Sequence, residues 1–187
     1  MKQTLICLCV ALATSPAFAA TCPAAPDHTA QLSELATQAQ AAASAPEGRR
    51  ISDQMWALWA DAPDAAAQEI LNAGMERRSS YDYLGAMAAF NRLIEYCPDY
   101  AEGYNQRAFV SYLREDFAAA VIDLDRALAR SPQHVAALAG KALSLLALGQ
   151  NDAARAALEQ ALALNPWIPE RALAAPGAPL APLGQDI

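Results

Sequence analysis

His28, His134, Cys22 and Cys97 are the histidines and cysteines that follow the first twenty residues, types that suit metal, nucleophilic or redox chemistry, and their spacing supports none of it. The histidines stand far apart, with no HxxxH, CxxC or neighbouring carboxylate pair to complete a ligand set. Asp123 and Asp125 lie two apart on a helical segment, so they face different ways and cannot share a proton or an ion. No glycine-rich phosphate loop and no nucleophile elbow occurs. The expectation is a protein that is not an enzyme and takes neither cofactor nor metal. The chemistry on offer is recognition. Arg77, Arg78 and Tyr81, with Tyr104, Asn105, Gln106 and Arg107, form the densest polar-aromatic cluster. These residue types combine contact area, hydrogen bonds and charge, as binding surfaces require.

The elements that must position them are repeats. Pro98, Pro132 and Pro166 recur every 34 residues, and the segments 67–100, 101–134 and 135–168 align on them without a gap. Each reads as helix, short turn, helix, and the proline ends the second helix because it cannot continue it. In the middle segment Asp99 and Glu102 have capping-box spacing, and Asp116 can cap the helix from Phe117. Gly149 suits a left-handed helix end in the third.

In phase with the prolines, small residues stand at the eighth position (Gly74, Ala108, Ala142) and early in the second helix (Ala86, Ala120, Ala154). Large ones follow four later: Phe90, Leu124 and Leu158. Tyr83 and Phe117 place an aromatic after the turn, where the third segment has Asn151. This pattern resembles the tetratricopeptide repeat, whose length is 34 residues. The resemblance implies an all-α, right-handed solenoid of antiparallel helix pairs. Small residues let helices approach and large ones fill the layers between them.

Residues 20–66 contain a further helix pair of near-repeat length and are expected to be a degenerate repeat capping the N-terminal end. Trp56 and Trp59 share a face there and would seal that end. Residues 169–187 read as a short cap opened by Pro169, then a disordered Ala/Pro tail from Ala175.

The resemblance also implies a binding groove lined by the first helix of each repeat. Of the positions it selects, Arg78, Asn105, Phe109, Tyr112 and Leu143 are the candidate contacts for a protein or an extended peptide. Some proteins of this family grip a terminal carboxylate with basic and amide residues at set positions. Here those positions hold Leu71, Met75, Ala136 and Gly140, so that clamp is absent.

Residues 1–19 have the pattern of a secretory signal peptide: Lys2, an apolar run from Thr4, and a small-x-small site ending at Ala19. Cys7 and Cys9 fall inside that run. A periplasmic location is expected. Secretion or lipid anchoring through Cys22 is the rival, although Ala19-Ala20-Thr21 lacks the leucine such sites carry. In an oxidising compartment Cys22 and Cys97 are expected to form a disulfide, since both fall on the edge where repeats join. Free thiols and a redox pair are the alternatives. The net charge of −7 suits neither nucleic acid nor anionic lipid, and no membrane insertion is expected. Function is therefore read as an exported scaffold for protein or peptide interaction, in envelope assembly or quality control. A self-associating structural protein and a non-catalytic subunit of an enzyme complex are the rival classes.

Overall fold

The structure, a computed structural model, describes residues 21–182. The expected leader with Cys7 and Cys9, and the terminal Gln185-Asp186-Ile187, lie outside the described residues. Among the described residues eight α-helices follow in order: α1 (Thr29–Ala41), α2 (Ala45–Trp59), α3 (Ala65–Ser79), α4 (Tyr83–Tyr96), α5 (Ala101–Leu113), α6 (Phe117–Arg130), α7 (Val135–Ala147) and α8 (Asn151–Leu164). A 3-10 helix over Pro169–Ala174 closes the array. No strand occurs among the described residues.

Helices α3–α4, α5–α6 and α7–α8 are antiparallel pairs stacked in chain order. Their turns repeat in atomic detail. Tyr81, Glu115 and Gly149 all adopt left-handed φ values, of 61°, 62° and 73°. Only the third is a glycine. The first two hold a conformation that costs an L-residue on the order of 1 kcal/mol, because the next helix start is tied down at once. Asp82 and Asp116 provide that tie by accepting from the amides of Gly85 and Ala119, at 2.9 and 3.2 Å. Inside the pairs the small and large positions interlock. A Cβ on Gly74 would lie 2.4 Å from Phe90 Cε1, and Ala86, Ala108, Ala120, Ala142 and Ala154 are fully buried.

The capping box does not form. Tyr100 occupies the N-cap of α5, no side chain caps that helix, and Glu102 turns inward instead.

The N-terminal helix pair forms, but it does not stack ahead of α3. It runs along the edge of the array as a strap across both inter-repeat turns and the turn that closes the third repeat. The strap begins at the Cys22–Cys97 disulfide, which fixes the chain at the end of α4 with a Cα separation of 5.2 Å. Along α1, Ser33 then donates to Gln133 at 3.1 Å in the second turn. Ala39 O accepts from Trp167 Nε1 at 2.9 Å in the third. Helix α2 returns. Its Gly48 lies against Trp167, Ser52 Oγ accepts from Asn165 at 2.8 Å, and Trp59 stacks on His134 with ring centroids 4.2 Å apart. Finally, Tyr100 donates its hydroxyl to Trp59 O at 2.8 Å.

Burial explains the placement. The free flank of α3 shows Glu69, Asn72 and Glu76 to solvent and needs no cover. Leu32, Ala36, Ala39, Ile51, Met55 and Trp59 of the strap instead share one core with Val135, Leu138, Leu145 and Leu158 of the apolar third repeat. Sequence distance hid this partner, because the strap skips two repeats to reach it.

Gly48 is the tightest point of the strap, since a Cβ there would stand 2.1 Å from Trp167 Cγ. Gly48→Ala is expected to cost about 1–3 kcal/mol through overpacking, despite the better helix propensity of alanine. Thermal melts of the two proteins check it; an unchanged or higher midpoint contradicts the close packing.

The tail also departs from expectation. Residues 175–182 lie against the array. Leu180 is 0 % exposed in the strap's core, its amide donates to Leu173 O at 2.9 Å, and Arg155 Nε donates to Ala181 O at 3.0 Å.

Candidate functional site

Helices α3, α5 and α7 line the inner face of the array, and α2 lies along one side of it. Between them opens a cavity of about 410 Å³. Arg78, Asn105, Phe109, Tyr112 and Leu143 all line it. Sequence reasoning missed the other wall, formed by Ser52, Asp53, Met55, Trp56 and Trp59 of α2, and the end formed by Ile168, Pro169 and Glu170. The tryptophans are one turn apart, and the structure separates their roles. Trp59 is buried on His134, while Trp56 is 44 % exposed at the cavity wall. Phe109 faces it from the repeats at 45 % exposure.

The polar-aromatic cluster divides. Arg78, Asn105 and Gln106 reach the cavity. Arg77 is spent in the turn, donating to Asp82 at 2.8 Å. Arg107 forks onto Asp123 with two contacts of 2.7 Å, and this pairing holds its guanidinium above the usual arginine range. Tyr104 is buried under Arg130, whose guanidinium sits 4.3 Å from the ring centroid. Asp125 turns the opposite way from Asp123, to Lys141 at 2.6 Å. As their spacing implies, the two carboxylates share nothing.

Beneath the cavity lies a polar network that spacing did not reveal. Glu102 is 1 % exposed and His134 is 0 % exposed, and Glu102 Oε2 meets His134 Nε2 at 2.8 Å. His134 Nδ1 accepts from the amide of Ala137, capping α7, so the ring proton sits on Nε2 and is donated to the carboxylate. Asn105 donates to the same carboxylate at 3.0 Å, and Gln106 donates to its other oxygen. Arg78 donates to the Gln106 carbonyl oxygen and lies over Phe109, 4.7 Å from the ring centroid. Burial pushes the Arg78 guanidinium below its ordinary value, and Glu102 pulls it back. The visible clue was a histidine at a helix start, where Ser, Thr or Asp is usual.

With the repeats and groove defined, comparison places the architecture. Residues 112–172 match the sequence model described as Tetratricopeptide repeat. The fold is a tetratricopeptide-repeat solenoid. Over 73 residues the chain is 41% identical to the Tetratricopeptide repeat protein 36 homolog of Nematostella vectensis. That match covers 39% of this chain and 40% of the relative, so the chain spans well under half of that protein. Among solved tetratricopeptide structures it resembles the TPR2B domain of yeast Sti1, with 28% identity and a TM-score of 0.51 over 52% of this chain and 78% of that one. The first TPR of Spaghetti (RPAP3) gives 21% identity and a TM-score of 0.55, over 57% and 84%. The Arabidopsis OM64 TPR domain gives 20% and 0.56, over 58% and 90%. At these last identities the likeness is one of fold.

One titration reports on the strap in solution. His28 Nδ1 and Nε2 meet Gln31 and Asp61, each at 2.8 Å. Burial works against its charged form, but the bonds to Gln31 and Asp61 outweigh it and raise its pKa above 6.5. A raised histidine stabilises the fold below its unfolded pKa, and that contribution is lost as pH rises through the folded value. Asp61→Asn is therefore expected to lower the His28 midpoint in an NMR titration. An identical midpoint contradicts the contact.

Proposed function

We propose that this chain is a non-catalytic scaffold that holds a protein or an extended peptide in the cavity between α2 and the repeats, working in the periplasm in envelope assembly or quality control. The observation that carries the reading is the cavity itself: an apolar, aromatic-walled groove on the inner face of a repeat array, with few polar groups converging on it. Similar folds support it. The yeast Sti1 domain is described as a complex with pHsp70, and the RPAP3 domain as bound to the HSP90 peptide SRMEEVD. Export rests on the leader pattern of residues 1–19 and agrees with a Cys22–Cys97 disulfide. No helix among the described residues is long and apolar enough to cross a membrane. The acidic net charge argues against a nucleic-acid partner.

Phe109→Asp is the variant of choice for a test, because Phe109 is half exposed on the groove, whereas Asn105 belongs to the buried network. The mature protein and this variant are crosslinked in the native host, and captured proteins are read by mass spectrometry. The expected result is a partner recovered with the parent and reduced at least tenfold with the variant, whose circular dichroism is unchanged. Equal recovery places binding on another surface. Self-crosslinks alone make the protein a self-associating one.

A further inference from the structure

The charges around the groove are unevenly placed. Arg78 is the one cation among its lining residues, and it comes from α3, at the first-repeat end. Among the described residues no carboxylate lies within ion-pair distance of it, and its only side-chain hydrogen bond goes to the neutral Gln106 amide. Two lining carboxylates, exposed Asp53 and half-buried Glu170, are at the opposite end. Glu170 belongs to the closing 3-10 helix, and Asp53 follows Ser52, which is bonded to Asn165 after the third repeat. Between them the walls are Trp56, Phe109, Tyr112 and Leu143.

Building on the peptide-holding reading, we propose that the groove selects an extended peptide carrying an acidic group at one end of an apolar stretch and a basic group at the other. The acidic group meets Arg78, and the basic group meets Asp53 and Glu170. Neighbouring helices lie about 10 Å apart, so α3 to α7 spans roughly 20 Å, the length of about six extended residues. A half-buried guanidinium with no carboxylate in ion-pair contact, reached by buried Glu102 only through Gln106, favours a ligand carboxylate, and the carboxylates at the far end repel a second one. The charge pair thus sets both register and selectivity, while the aromatic walls supply contact area.

The test uses fluorescein-labelled hexapeptides with the same four apolar central residues and different ends: Asp and Lys, Asp and Asp, Lys and Lys, or Asn and Gln. Binding to the mature, disulfide-bonded protein is read by anisotropy. The expected result is that the Asp/Lys peptide binds roughly tenfold more tightly than the neutral one, an advantage lost in high salt. Arg78→Glu should shift preference to the Lys/Lys peptide, and Asp53→Lys with Glu170→Lys should shift it to Asp/Asp. The second variant touches residues outside the buried network, so it decides the matter if Arg78→Glu fails to fold. Equal binding of all four peptides, abolished by Phe109→Asp, overturns the charge rule and leaves the groove reading intact. If none of the peptides binds, both are overturned.

Discussion

Replacing His134 with leucine is expected to destabilise the fold by about 2–3 kcal/mol, because it strips a hydrogen-bond donor from a fully buried carboxyl group. Glu102 would keep only the amide donors of Asn105 and Gln106. The N-terminal cap of α7 and the ring stacked on Trp59 would go as well. Glu102→Gln keeps an acceptor for His134 and should cost less, about 1–2 kcal/mol. The double variant Glu102→Leu with His134→Leu should fall short of the sum of the two singles, since the second change removes the group the first left stranded. Urea unfolding followed by circular dichroism measures all four. A loss below 1 kcal/mol for His134→Leu contradicts the network. Because Gln106 links the pair to Arg78, the same substitution should also loosen the guanidinium in the groove.

Cys22→Ser should be the other large loss. The disulfide joins residues 75 apart in sequence, and constraining so long a loop stabilises a fold by about 4 kcal/mol in the chain-entropy model. Part of the effect is local. Cys22 leads into α1, so the bond holds the start of the strap against the first inter-repeat turn. The urea midpoint of the variant should drop, dithiothreitol should produce the same drop in the parent, and the variant should ignore the reductant. Equal midpoints for parent and variant contradict an ordering role for the bond.

How much was legible in the sequence follows from how locally each feature is encoded. The three repeat pairs were readable because Pro98, Pro132 and Pro166 keep one phase with the small and large residues, and those contacts lie within a repeat or between neighbours. The positions that the resemblance implies for the groove, Arg78, Asn105, Phe109, Tyr112 and Leu143, line one cavity. The strap was not. Its helices have an ordinary amphipathic pattern, and nothing local says that Met55 and Trp59 pack on the third repeat rather than the first. The tail misled through composition, since Ala, Pro and Gly suggest disorder while a single Leu180 anchors it. In the sequence Glu102 has capping-box spacing and His134 has no ligand set beside it, and neither signal points to the other. Their pairing joins the first helix of the second repeat to the turn that ends it, 32 residues on, and Asp99 with Glu102 offered a local alternative that burial overrode.

Occupation of the groove between α2 and α7 by the partner is the core of the proposed function. It is tested most directly by a photo-crosslinking residue placed at Leu143, inside the groove, or at Leu148, exposed at the turn before α8. Irradiation in the native host, followed by mass spectrometry, reads which position touches the partner. The expected result is a crosslinked partner peptide from position 143 and none from 148. Crosslinks confined to position 148, or none at 143 while the partner still co-purifies, would contradict it.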